Sequence, residues 1–156
     1  MTSTTLQENL ASTQAAQDEA AIRALIAGIH QAHLDKIGAA IAAPYAADAV
    51  VYNLAPPLVH VGRDASEIQA WLDTWATPIE LEARDMNIAV SGDLAYCHCL
   101  LHMSGTKETD EGSVRFWMRE TVCLQRASGQ WRIVHEHTSV PFYMDGSLRP
   151  AFDLEP

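Results

Sequence analysis

The sequence predicts an α+β domain in which three N-terminal helices pack on one face of a curved antiparallel sheet. Two observations carry the class. Helical apolar periodicity is confined to residues before Pro78, whereas four long alternating runs separated by turn signals follow it. At 156 residues and 48% hydrophobic content, the chain is sized for one well-packed domain rather than a disordered polypeptide.

Residues 1–17, rich in Thr, Ser, Gln and Asn at their start, read as a flexible arm ahead of a domain over 18–145. From Asp18 to Ile37 the residues Ile22, Leu25, Ile26, Ile29, His33 and Ile37 share one side of a helix, with Asp18 and Glu19 near its positive N-terminal end. The Ala-rich stretch Ala39 to Ala47 predicts a shorter helix or turn interrupted at Pro44. Val50 to Leu54 reads as a short strand ended by Pro56-Pro57. After Gly62, Asp64 and Glu67 have capping-box spacing. Ile68, Trp71, Leu72 and Trp75 then form an apolar stripe that stops at Pro78. Strands are expected over Glu80 to Val90, Leu94 to Ser104, Ser113 to Arg126 and Trp131 to Val140. They are joined at Ser91-Gly92-Asp93, by a Gly105 to Gly112 loop, and at Ser128-Gly129. Residues 146–156, with Gly146 and Pro150, form a surface tail.

Charge narrows the partners. Ten Lys plus Arg against twenty Asp plus Glu give a net charge of -10, which repels a phosphate backbone or an anionic membrane. Neither a nucleic-acid nor a membrane partner is expected. No basic start leads into an apolar run, no stretch has membrane-spanning length, and three cysteines cannot all pair within one chain. A reducing cytoplasm is the simplest setting.

Alternation sorts the last hairpin into two sets. Phe116, Met118, Glu120, Val122 and Leu124 share a face with Val134, Glu136 and Thr138, with Glu120 roughly opposite Glu136. Trp117, Arg119, Thr121 and Cys123 share the other with Trp131, Ile133, His135, His137 and Ser139. Two facing carboxylates in apolar surroundings cannot both ionise cheaply, so one of them is a candidate proton donor near neutrality. At a wet sheet end, or paired with Arg115 or Arg132, both would be ordinary. His135 and His137 form an H-x-H pair able to chelate a transition metal if a group such as Cys97-His98-Cys99 came near. Hydrogen bonding to Arg119 and Thr121 would instead make the pair structural. Tyr96, His98, Leu100 and His102 share a face of the preceding strand. A helix-covered sheet would bring His98 and His33 towards one hollow, with Trp71 and Trp75 as core or wall.

The string from Arg119-Glu120-Thr121 through Gly129-Gln130-Trp131-Arg132-Ile133-Val134-His135-Glu136-His137-Thr138-Ser139 resembles the SnoaL-like branch of the nuclear transport factor 2 superfamily, over about residues 18 to 145. It is also similar to the association domain of calmodulin-dependent kinases and, more distantly, to ketosteroid isomerases. The resemblance implies a cone, a bent sheet around a pocket closed by helices, dimerised through its outer face. It also implies that Asn53, His98, Val134, Glu136 and Thr138 point inward, whereas Arg119, Trp131, His135 and His137 point outward. Where steroid isomerases of the superfamily carry an Asp base this chain has Asn53, and an amide cannot abstract a proton at neutral pH.

Together these readings predict a cofactor-independent and metal-free acid/base enzyme, of isomerase, cyclase or hydrolase type, acting on a small apolar or polycyclic carbonyl compound. Its catalytic candidates are His98, Glu120 and Glu136, and its binding candidates are Asn53, His33, Trp71, His102, Val134 and Thr138. The competing expectation is a non-catalytic ligand-binding or assembly module on the same fold.

Overall fold

A computed structural model describes residues 3–109 and 112–156, the side chains of residues 3–11 excepted. Met1 and Thr2 of the expected arm, and Asp110 and Glu111 of the expected loop, lie outside the described residues. The chain order is α1 (Ser3–Leu34), α2 (Gly38–Ala42), β1 (Tyr45–Tyr52), β2 (His60–Val61), α3 (Ala65–Leu72), β3 (Glu80–Ser91), β4 (Leu94–Thr106), β5 (Ser113–Ala127) and β6 (Gln130–Ser139). β1 lies between α2 and α3, where a short strand is expected, and is joined there by β2, which the sequence does not announce.

The helix α1 starts at Ser3 rather than Asp18, through residues of good helix propensity such as Leu6, Gln7, Glu8 and Ala11. Its side chains from Ser12 to Gln17 are exposed, and burial begins at Asp18. Pro44 ends the α2 segment, and β1 begins immediately after it at Tyr45, earlier than expected. At α3 the Asp64 side chain accepts from the backbone N–H of Ser66 at 2.7 Å and of Glu67 at 3.2 Å. The stripe behind that cap puts Ile68, Leu72 and Trp75 in the core.

All six strands form one sheet in the order β2-β1-β6-β5-β4-β3. It is not wholly antiparallel, because β1 pairs with β6 in parallel, Val51 beside Glu136. That pairing is possible because the chain between the two strands is long enough for a crossover, which a tight turn would forbid. On the inner face, Ile22, Ile26 and Ile29 of α1, Ile41 of α2 and Ile68 and Leu72 of α3 pack against Cys97, Val122, Leu124 and Ile133. A second cluster, Cys99, Leu101, Phe116 and Met118, continues that face along β4 and β5. No helix among the described residues is long and apolar enough to cross a membrane.

The hairpin of β5 and β6 departs from simple alternation. Leu124 pairs with Ile133 but Cys123 pairs with His135, so Val134 is an extra residue, a β-bulge. Before the bulge, Trp131 and Ile133 face the core; after it, Glu136 and Thr138 do. Glu120 consequently lies opposite Thr138, and Glu136 lies opposite Val122. Beyond β6 the chain returns across β5, where the Phe152 ring sits 4.6 Å from that of Phe116 and the Trp117 indole N–H donates to Glu155 at 2.9 Å.

Candidate active site

Between the inner sheet face and the helices lies a cavity of about 750 Å³. Its wall combines apolar side chains, Ile26, Ile29, Leu101, Met118, Val122 and Ile133 among them, with polar and ionisable groups set between them. Glu136, only 6% exposed, is the most deeply enclosed of the carboxylates in that wall. Tyr45, the first residue of β1, donates its phenol hydrogen in a short bond to Glu136 Oε2, and Arg63 Nη2 lies 3.5 Å from Oε1. The guanidinium carbon also lies 5.0 Å from the centre of the Tyr45 ring. Arg63 stands one residue before the Asp64 cap, so the hydrogen bonds that start α3 also fix where the guanidinium enters the cavity. Its Nε is buried without an acceptor.

Electrostatics follow from this enclosure. Burial, and then the neighbouring Glu136 charge, push the Tyr45 phenol well above its ordinary range, so it stays a neutral donor. Burial works against the charge on Arg63, yet Glu136 and Tyr45 outweigh it and hold the guanidinium protonated. Glu120 has no such counter-ion. Burial first, and the Glu136 carboxylate second, raise it to about 7, while Cys99 Sγ donates to its Oε2 at 3.5 Å. At neutral pH Glu120 is thus divided between acid and base forms, the condition a proton-transfer group needs.

Two imidazoles from α1 complete the wall. His33 Nδ1 lies 2.8 Å from the Ile29 carbonyl. A carbonyl only accepts, so Nδ1 carries the hydrogen and Nε2 keeps its lone pair. Burial lowers the His33 pKa, and the ring meets Trp71 edge-on at 6.1 Å. One position earlier in the spiral lining, His30 is depressed to about 4 by burial and by His33, and is neutral at pH 7.

The structure places Glu120, Glu136, His33, Trp71 and Thr138 in the wall, and Asn53 at its exposed rim, where its Oδ1 accepts from the Leu54 N–H. Three expected residues are not there. His98 is exposed on the outer face, stacked on Tyr96 at 6.3 Å, because Cys99, not His98, pairs with Glu120 and shares its face. His102 is on that same outer face against Trp117, 5.0 Å away. Val134 is displaced by the bulge, and Ile133 lines the cavity instead. Trp131, expected outside, is 7% exposed in the core for the same reason. His135 and His137 lie on the outer face beside Tyr52, the former with Nδ1 2.7 Å from the Val50 carbonyl. Among the described residues no three His, Cys, Asp or Glu groups come close enough to hold a metal ion.

Sequence reasoning missed Tyr45, Arg63 and His30. Tyr45 was hidden in a segment read as a helix end. The cue for Arg63 was available, a cation between Gly62 and a helix cap, the kind of joint that aims a side chain across a fold.

The SnoaL-like domain model matches residues 19–143. No curated protein matches. Among solved structures, an NTF2-like protein of unknown function from Pseudomonas putida KT2440 is 31% identical with a TM-score of 0.79, covering 90% of this chain and 98% of its own. A protein provisionally described as a scytalone dehydratase, from Novosphingobium aromaticivorans DSM 12444, is 17% identical with a TM-score of 0.71, covering 94% and 95%. A ketosteroid isomerase-like protein from Erwinia carotovora atroseptica SCRI1043 is 21% identical with a TM-score of 0.65, covering 77% and 93%. The inner-face cavity, the closing hairpin and the match over most of its length agree: this chain belongs to the SnoaL-like family, within the NTF2-like proteins.

Proposed function

We propose that the protein is a cofactor-independent acid/base enzyme that isomerises or dehydrates a small, largely apolar cyclic carbonyl compound. The observation that carries this reading is Glu120, a carboxyl group without a counter-ion in the cavity wall, raised to about 7 beside the Tyr45–Glu136–Arg63 cluster. In its ionised form Glu120 takes a proton from the carbon next to the substrate carbonyl. In its protonated form it returns a proton to the far carbon in an isomerisation, or to the departing hydroxyl in a dehydration. The guanidinium of Arg63 supplies positive charge where the enolate oxygen develops, and Thr138, whose hydroxyl donates to the Tyr52 carbonyl, lines the site beside it. His33, with its free Nε2, takes the partner role first assigned to His98. Asn53 at the rim hydrogen-bonds the incoming substrate. Relatives described as dehydratase and isomerase-like support the reaction class by fold alone.

The test is a panel of cyclic β-hydroxy ketones and β,γ-unsaturated ketones, followed by the absorbance of the conjugated enone that either reaction forms. Glu120→Gln should lower turnover by about 10²- to 10⁴-fold on any active member, with binding retained. Unchanged turnover in that variant would remove Glu120 from the reaction. A second reading, a binding module without catalysis, draws on the engagement of both Glu136 oxygens by Tyr45 and Arg63. It predicts retained binding and no turnover in either protein.

A further inference from the structure

The chain contains only two lysines, Lys36 and Lys107, and both converge on Trp75. Lys36 Nζ donates to the Trp75 carbonyl at 2.7 Å, and the Lys107 ammonium lies 5.1 Å from the centre of the Trp75 ring. A backbone bridge joins Trp75 to Lys107, and both residues are part of the cavity wall. Arg63, the other Lys or Arg in that wall, is engaged by Glu136, whereas among the described residues Lys107 has no carboxylate partner. In a chain of net charge -10 a cavity cation with no carboxylate partner among the described residues is conspicuous. Trp75 adds a second unmet group: it is 2% exposed, and its Nε1 is buried without an acceptor. Buried donors left without acceptors are rare and destabilising, and the indole N–H beside the cavity wall reports on what binds there.

This cationic end is well separated from the acidic one. Trp75 rests on β4 at Gly105, where an added Cβ would come within 2.9 Å of the indole Cε3, and Gly105 pairs with Val114. From Val114 to Glu120 along β5 is roughly 20 Å at strand spacing, and the residues between on that face are Phe116 and Met118. The cavity therefore has two polar poles joined by an apolar wall.

We propose that the Trp75–Lys107 end of the cavity binds a carboxylate carried on an apolar chain of the cyclic carbonyl substrate, so that the substrate is a keto or hydroxy acid whose acid group is remote from its reacting carbon. The proposal rests on the reading of this cavity as the ligand site and names the substrate class that fits it.

Binding of dodecanoate and of dodecan-1-ol to the full chain, measured by calorimetry, tests it, together with the indole N–H resonance of Trp75 assigned by Trp75→Phe. Dodecanoate should bind about tenfold more tightly than the alcohol and move that resonance downfield, and Lys107→Met should abolish the preference while leaving alcohol binding in place. Equal affinities that Lys107→Met does not alter would overturn the acid subsite and leave the cavity reading standing. Binding of neither probe would overturn both.

Discussion

At the scale of single residues, the organising fact is that Glu136 is buried with Tyr45 and Arg63 on its two oxygens, while half-buried Glu120 has no ion-paired cation among the described residues. One carboxylate is held by a phenol and a guanidinium and the other titrates near neutrality, although both are glutamates on the same sheet face. Tyr45 is the discriminating partner. Replacing it as Tyr45→Phe keeps the ring under Arg63 but leaves Glu136 Oε2 without its donor, and should destabilise the fold by about 1–3 kcal/mol in urea unfolding. A loss below roughly 0.5 kcal/mol would mean that water replaces the phenol and that the carboxylate is less enclosed than its 6% exposure indicates. The sequence puts Glu120 and Glu136 on one face, but their sharing it rests on the bulge at Val134, since the Ser128-Gly129 turn alone would set Glu120 opposite His137. The resemblance turned His98 inward, whereas parity alone says which residues share a face and not which face turns inward. The connection between β4 and β5 is too long to carry that information, and Cys99 took the place.

At the scale of elements, strand and helix identities were readable from periodicity, but two local irregularities decide the site. The bulge at Val134 turns Glu136 and Thr138 to the same face as Glu120, and nothing in a run of Ile, Val and His announces an extra residue. The early start of β1 was equally opaque, since alanines before and after Pro44 favour a helix until the parallel pairing with β6 outweighs their propensity. Between helices the decisive residue is Gly38. A Cβ there would lie 2.7 Å from the Ala65 carbonyl oxygen and 2.8 Å from the Gln69 backbone nitrogen, and the Gly38 N–H donates to Gln69 Oε1 at 2.9 Å. Backbone cannot yield as a side-chain tip can, so Gly38→Ala must push α2 and α3 apart. We expect a loss of about 1–3 kcal/mol, measured by thermal unfolding, and wider access to the cavity for a fluorescent apolar probe. Unchanged stability would show that the two helices are free to separate.

At the scale of the whole molecule, enclosing a cavity with ionisable groups links the fold to pH through two opposed titrations. Glu120 is raised from 4.5 to about 7, so across that interval the folded chain holds a proton that the unfolded chain has released. Its contribution to stability is present below about pH 4.5 and declines as pH rises to about 7. His30 is lowered from 6.5 to about 4, so the unfolded chain takes up a proton first; its contribution is present above pH 6.5 and is lost as pH falls through about 4. The two slopes have opposite sign and are at most roughly 3 kcal/mol each, and they oppose one another in the wild-type chain, with His33, also lowered by burial, on the His30 side. Glu120→Gln removes one of them. The variant should therefore gain stability over the wild type by about 1–3 kcal/mol more at pH 8 than at pH 5, part of the full effect being lost to the cavity's own access to solvent. With His30 unopposed, its stability should also climb more steeply from pH 5 to pH 7 than that of the wild type. Guanidinium unfolding of both proteins at the two pH values reads the difference directly. A variant that tracks the wild type at a constant offset would mean that Glu120 ionises as it does in the unfolded chain. The cavity would then hold no group poised near neutrality, and the proton-transfer reading would lose its base.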